Sequence, residues 1–350
     1  MTIVQNLIVE EFGAFIGKHS ERLVVTKGEE TLTYAPLLHL ESVLITGHGV
    51  SISADAVREC ADRGIPIHFV SGTGTAYASL YSAGLTGTIL TRRAQLEAFR
   101  TPRGLTASLA FAQGKIRNQA NLLKYVAKYR KETAPENFHI LRKSAEEVEA
   151  YAGDVDQIRT RPEVTSGERA TIDDWRPELL GIEGRAAQVY WDAVGRVLPP
   201  DLDWPGREGR GAKDPLNSAL NYGYGILYGQ IERSLLLAGL DPYAGFSHVD
   251  RPGKPSLTLD AIEEFRQPVV DRTVFGLVNK GVKMEQNEQG YLTDDTRKML
   301  AEKVLNRLET PEPYEKKNVP LRIILQSQAR HLATYLRGDR GEYEPFIMAW

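Results

Sequence analysis

Hydrophobic positions change their period once along the chain. Up to about residue 90 they come in short β-branched runs, RLVVT, ETLTYA, SVLITG and IPIHFVS, divided by Gly, Lys-Gly or Pro. That is the pattern of strands joined by turns. One helix interrupts them, SADAVRECADRG, with Ser53 as its N-cap, Ala56, Val57 and Cys60 at helical spacing, and Gly64 as its stop. SGTGTA, residues 71 to 76, has glycines but neither a helix-opening Gly-x-Gly-x-x-Gly nor a Walker pattern, and reads as a hairpin turn. After SAGLTG the period becomes 3.6, and no clear strand run recurs for most of the remaining chain. The boundary falls near residues 83 to 93. The pattern therefore predicts an α+β protein of two domains: residues 1–88, β-rich with one short helix, and residues 89–350, all-α. Residues 160 to 177 and 199 to 214 read as loops from their Pro, Gly and charge content.

Composition narrows the class. The 350 residues are 42% hydrophobic and 25% charged, ordinary globular material with enough apolar content for two cores. A single cysteine, Cys60, excludes an intramolecular disulfide framework and a Cys-based zinc cage and points to a reducing compartment such as the cytosol. Met1 leads into TIVQNLIVEEFG, with no basic segment ahead of an apolar core, and no window reaches ~18 uninterrupted apolar residues. Neither signal-peptide export nor a membrane span is expected. The net charge of -3 does not announce a polyanion ligand, but Thr91 to Lys143 carries twelve Lys/Arg against three acids. A solvated helix face and contact with a phosphate backbone both fit that excess.

Three helices of the C-terminal half carry polar residues that a fold alone does not require. In ELLGIEGRAAQVYWDAV, Leu179, Ile182, Ala186, Val189 and Ala193 form the buried stripe and Glu183 borders it. Gly181 and Gly184 flank Glu183 at a cost of about 1 kcal/mol each relative to Ala, which suggests close approach by a backbone or a ligand; pairing with a neighbouring Arg is the alternative for Glu183. In DPLNSALNYGYGILYGQIERSLLLAGLDP, Asp214 caps, Pro215 opens and Gly239 stops a helix. Asn217, Asn221, Tyr224 and Tyr228 share one face of it, suited to phosphates and bases and equally to interhelical hydrogen bonds. Arg207, Arg210 and Lys213, in the glycine-rich loop before it, are further candidates for substrate contact. In GFSHVDRPGKPSLTLDAIEEF, a step of about 100° per residue places Glu263, Glu264, Gln267 and Asp271 within about 60° of Asp260, opposite Ile262, Phe265 and Val269. Such a stripe repels itself and asks for a cation, either Lys/Arg or a metal. His248 lies twelve residues ahead of Asp260 on a tight loop, so imidazole and carboxylate can meet; one nitrogen and two carboxylates suit Mg²⁺ or Mn²⁺ with open water positions.

GIEGRAAQVYW, DPLNSALNYGYGILYGQIERSLLLAGLDP and GFSHVDRPGKPSLTLDAIEEFR, in that order, resemble CRISPR-associated protein one, the integrase/endonuclease family of CRISPR adaptation. VLITGHGVSISADAV, GIPIHFVSGTGTAYASL and TRRAQLEAF extend the resemblance into the N-terminal half. It implies a dimerising β-rich domain over 1–88 and a catalytic, DNA-binding helical domain over 89–350. It also implies catalytic metal ligands at Glu183, His248 and Glu263 for Mg²⁺ or Mn²⁺, with Asp260 as an accessory candidate; Glu264, on the same acid stripe, is a second accessory candidate. The partners implied are duplex and branched DNA, a second copy of the chain, and the small CRISPR-associated protein two; no membrane is involved. Two readings of other classes compete: a catalytically silent nucleic-acid-binding scaffold, and a metallohydrolase of small phosphoesters.

Overall fold

The computed structural model describes every residue except 1–5, 39, 72–75, 82–88, 200, 201, 203, 210 and 350. The SGTGTA turn and the expected boundary between the domains fall largely outside the described residues. Two compact units form. The first comprises Met1–Thr86, Gly209–Gly229 and Met284–Leu305; the second comprises Gly87–Glu208, Gln230–Lys283 and Asn306–Trp350.

In the first unit, β1 (Asn6–Val9), β5 (Ser42–Ile45), β7 (Ile67–Val70) and β8 (Ala76–Leu80) make one sheet in that order, parallel except for the β7–β8 pair. β4 (Glu30–Pro36), β3 (Arg22–Lys27), β2 (Phe15–His19) and β6 (Ser51–Ile52) make a second. The four apolar runs became β3, β4, β5 and β7. β5 is buried along its whole length, as expected of an interior parallel strand covered on both faces. The predicted helix is α1 (Ala54–Asp62). Ser53 Oγ accepts from Ala56 N at 3.1 Å, and Gly64 turns the chain at a φ of 68°, where a side chain would be strained. Cys60 lies in the core with Leu7, Ile16, Leu23, Val43 and Ile67, and burial pushes its thiol up to about 11.

The second unit is built on long helices. α2 (Ile89–Ala98) precedes α3 (Pro102–Lys128), which packs against α4 (Pro135–Thr160) and α6 (Ile172–Val197), with the short α5 (Pro162–Thr165) between the last two. The sequence loop at 160–177 ends earlier than expected. α6 already begins at Ile172, its first turn closed by Asp174 Oδ2, which accepts from Thr171 N at 3.0 Å and Thr171 Oγ1 at 2.7 Å. α7 (Pro215–Leu237) starts and stops where Asp214 and Gly239 predict: Asp214 Oδ1 accepts from Asn217 N at 2.9 Å, and Gly239 has a φ of 83°. α8 (Ser256–Ala261), α9 (Arg272–Val278) and α11 (Leu321–Arg337) follow in this unit, whereas α7 up to Gly229 and α10 (Asp294–Leu308) up to Leu305 belong to the first. The helical region also contains a hairpin, β9 (Pro311–Tyr314) and β10 (Lys317–Pro320), turned by Glu315 and Lys316 at positive φ.

Between α8 and α9 the chain is helical but not regular. Ile262–Glu264 is a 3₁₀ turn and Arg266–Asp271 is π-helical. Pro268 explains the irregularity, because it has no N–H to give the Glu264 carbonyl four residues back and its ring crowds that carbonyl. Asn118 of α3 replaces the missing donor: its Nδ2 reaches Glu264 O at 2.8 Å. The same amide donates to Phe346 O at 2.8 Å and accepts from Met348 N at 2.8 Å, fastening the C-terminal segment to α3. Helix, turn and terminal segment meet at Gly114, where an added Cβ would lie 2.9 Å from Glu264 Cγ and 3.0 Å from Pro345 Cβ. Gly114→Ala should therefore lower stability by about 1–3 kcal/mol through overpacking, despite the ~1 kcal/mol that Ala gains in helix propensity. Thermal melting decides, and a stabilised variant would show that this junction has room.

Candidate active site

The acids of the GFSHVDRPGKPSLTLDAIEEF segment do not form a solvated stripe. Asp260, Glu263, Glu264, Gln267 and Asp271 are all buried, as are Ile262, Phe265 and Val269. The 3₁₀ and π-helical turns break the regular 100° step on which a common face depends. Each acid instead has partners of its own. Asp271 Oδ2 accepts from Tyr190 OH of α6 at 2.7 Å. Glu264 accepts from Tyr343 OH at 2.5 Å, Phe346 N at 2.8 Å and Gln328 Nε2 at 3.2 Å; burial outweighs those bonds and pushes its carboxyl up to about 7. Glu264 thus faces the C-terminal segment, and its part is to anchor that segment.

Asp260 builds the histidine loop. Its Oδ2 accepts from Phe246 N at 2.6 Å and Ser247 N at 3.0 Å, and its Oδ1 from His248 N at 3.0 Å. The His248 ring donates from Nδ1 to Oδ1 at 2.7 Å, since an ionised carboxylate only accepts. That bond fixes the tautomer and leaves Nε2 as the basic nitrogen, the usual arrangement behind a histidine ligand. Gly245 permits the loop's return, because a Cβ there would fall 2.5 Å from Ser256 C. Arg176, on α6, secures the loop from the other side through Nη2 to Phe246 O at 2.9 Å and Nε to Ser247 O at 3.1 Å. No sequence signal marked Arg176, which sits in a segment that reads as a loop.

Glu183 projects from α6 and is only 8% exposed. Its Oε2 accepts from Lys115 Nζ of α3 at 2.8 Å, and the same ammonium lies 3.2 Å from Glu263 Oε2. Arg266 Nη2 is 3.1 Å from Glu263 Oε1. Burial alone would push the Glu263 carboxyl up, but Arg266, Lys115 and His248 together hold it below its ordinary value. Burial works against the Lys115 ammonium, and the two carboxylates more than reverse that, raising it. The cation that the acids ask for is therefore a lysine with an arginine beside it. The flanking glycines of Glu183 are not sites of tight approach: a Cβ at Gly184 would meet nothing within 4 Å, and one at Gly181 only Arg185 Nη1 at 3.6 Å.

Of the other candidates, Asn217 is fully buried and gives its amide to Asp214 Oδ2 at 2.8 Å, while Asn221 Nδ2 donates to Gly209 O at 2.8 Å. Tyr224 is buried and Lys213 exposed. Arg207 lies over the Trp191 ring at 5.7 Å. Arg210 is outside the described residues. Several members of the basic segment are paired within the second unit, Arg117 with Asp156 and Lys124 with Glu149, whereas Arg93, Lys128, Lys131 and Lys143 are exposed. Tyr129, at the cap just past the end of α3, is exposed.

The profile of the family described as CRISPR associated protein Cas1 matches residues 7–306. The chain belongs to the Cas1 family. A CRISPR-associated endonuclease Cas1 of Archaeoglobus fulgidus is 36% identical over 98% of this chain and 99% of its own length. One from Francisella tularensis subsp. novicida is 31% identical over 99% of this chain and 100% of its own. In fold, the chain is similar to a casposase bound to integration product (TM-score 0.76, 20% identity, 97% of this chain and 93% of that one). It is also similar to a CAS1 protein from Thermotoga maritima (TM-score 0.75, 17% identity, 96% and 97%) and to a chain of a Cas6-RT-Cas1–Cas2 complex (TM-score 0.76, 21% identity, 100% and 37%).

Among the described residues of this Cas1-family chain, no three His, Cys, Asp or Glu side chains are already gathered as a metal ion requires. The donor chemistry nonetheless fits a divalent ion. Glu263 Oε2 is buried and makes no aligned hydrogen bond, even to the nearby Lys115, and the Nδ1 bond to Asp260 aims the histidine's basicity at Nε2. Asp260→Asn replaces an oxygen that serves N–H donors with an N–H₂ group. The expected loss is about 1–3 kcal/mol, with the His248 loop loosened. Melting together with amide exchange at Phe246–His248 checks it, and unchanged protection would show that the loop stands without this carboxylate.

Proposed function

We propose that the chain is a metal-dependent DNA endonuclease and integrase of CRISPR adaptation, inserting captured DNA fragments as new spacers and cutting branched DNA at the same site. The observation that carries the reading is the meeting of Glu183 of α6 and Glu263 of the 3₁₀ turn at a single ammonium, beside a histidine whose tautomer Asp260 fixes. Relatives that match over nearly their whole length are endonucleases by name, which supports a phosphodiester substrate over a small phosphoester.

Glu183, His248 through Nε2, and Glu263 would hold Mg²⁺ or Mn²⁺, which when bound supplies polarisation of a phosphoryl oxygen. The chain's own groups do the rest. Arg266 and Lys115 keep Glu263 ionised in a buried setting, so it is ready to take a cation at neutral pH. Asp260 and Arg176 hold the imidazole loop rigid from two sides, which limits the reorientation needed when DNA arrives. Attack by a 3′-hydroxyl joins strands; attack by water cuts them. Exposed lysines and arginines of the 91–143 segment would hold the duplex by its backbone without reading bases. The β-rich 1–88 region would pair two copies, and the small CRISPR-associated protein two would join them. Among the described residues no helix is long and apolar enough to cross a membrane.

The competing reading, a catalytically silent nucleic-acid-binding scaffold, draws on Lys115 standing where a metal would sit. Cleavage and strand transfer of branched DNA separate the two. We expect activity with Mg²⁺ or Mn²⁺ that chelation removes and that His248→Ala lowers by at least about 10²-fold, with DNA binding retained. Equal turnover by His248→Ala would sink the metal assignment, and salt-sensitive binding with no turnover in any metal would favour the scaffold.

A further inference from the structure

We infer that Lys115 is a resident counter-cation that holds the place of the metal ion between Glu183 and Glu263 and is displaced when the ion enters. The inference rests on the metal-dependent reading of the site. It says how the site is kept ready in the absence of the ion.

Glu183 and Glu263 come from different elements, and both approach one Lys115 Nζ, at 2.8 and 3.2 Å. Both carboxylates are buried, and two like charges so close repel strongly where water does not screen them. Without a cation between them, one would take up a proton or the helices would part. Arg266 Nη2 adds a second cation on the Glu263 side, 3.1 Å from Oε1. Lys115 spans both carboxylates. Its fit is good to Glu183 and poor to Glu263, whose Oε2 makes no aligned hydrogen bond. A single charge with three tetrahedral donors thus satisfies this pair less fully than a divalent ion, which binds carboxylate oxygens from any direction.

The position of Lys115 also suits displacement. It leaves α3 on a flexible four-carbon stem and is partly exposed, so its head group can swing out while the helix stays fixed. α3 cannot follow, because the adjacent Gly114 and Asn118, one turn on, are locked to the Glu264 turn and the C-terminal segment. The carboxylates therefore stay near the same separation whichever cation they hold. An ammonium that leaves this spot remains beside the place where a phosphate would bind, and can serve there as a positive contact.

The test compares wild type, Lys115→Met, Lys115→Arg and His248→Ala without DNA. Mn²⁺ uptake is followed by loss of the free-ion electron paramagnetic resonance signal, and melting is recorded with and without Mn²⁺. Removing the competing charge should tighten Mn²⁺ binding about tenfold or more. It should also lower the metal-free melting temperature and enlarge the rise that Mn²⁺ produces. Lys115→Arg should bind no tighter than wild type. If wild type binds in a His248-dependent way and Lys115→Met binds equally or more weakly, the lysine's role is wrong while the metal site stands. If neither wild type nor Lys115→Met takes up Mn²⁺, the metal reading itself fails. A Lys115→Met chain that stays unfolded with Mn²⁺ present shows the lysine to be structural, and also overturns the inference.

Discussion

Buried carboxylates are the constraint around which the second unit is arranged. Between Asp260 and Asp271 the chain carries four acids, none of them solvated, and a packed interior tolerates an ionised carboxylate only when charge or several hydrogen bonds compensate it. Each acid is answered by a different part of the chain: Asp260 by the histidine loop, Glu263 by Lys115 and Arg266, Glu264 by Tyr343 and Phe346, and Asp271 by Tyr190. Meeting these separate demands draws α3, α6, the loop before α8 and the C-terminal segment to one short irregular stretch. The candidate site is the point where the compensation is least complete.

α3 is the element that ties the demands together. Within about one turn it supplies Gly114 for close approach, Lys115 for charge, and Asn118 for the carbonyl that Pro268 orphans. Proline, the π-helical turn and the asparagine form one causal sequence. The proline breaks the helical hydrogen bond, the widened turn relieves the clash, and a side chain from another helix replaces the lost donor. The break also moves Glu263 and Glu264 off the common face they would share on a regular helix, so that one faces Lys115 and the other the C-terminal segment.

Legibility in the sequence followed the range of the interaction concerned. Strands β3, β4, β5 and β7 were readable because β-branched runs and their turn residues are local, and so were the ends of α1 and α7, set by Ser53, Gly64, Asp214 and Gly239. β2, FIGKH, was not, since its polar end and central glycine leave no apolar run. The meeting of His248 with an acid of the next helix was readable from loop length, and the acid it touches is Asp260. Lys115 lies 68 residues from Glu183, and nothing in its surroundings sets it apart from the other cations of a basic segment. Only the fold shows that this one of those twelve charges meets two buried glutamates. Membership of the Cas1 family was legible from three motifs because a family signature is local text, whereas the division of labour among Asp260, Glu263 and Glu264 depends on the turn that Pro268 imposes.

The central claim is that Glu183, His248 and Glu263 form one cation site. A crystal of the protein soaked in MnCl₂ and measured at the manganese absorption edge tests it directly. The account predicts one strong anomalous peak within bonding distance of the Glu183 and Glu263 carboxylates and His248 Nε2, with the Lys115 head group moved aside. A map with no peak there, and Lys115 still bridging the two glutamates, would contradict it.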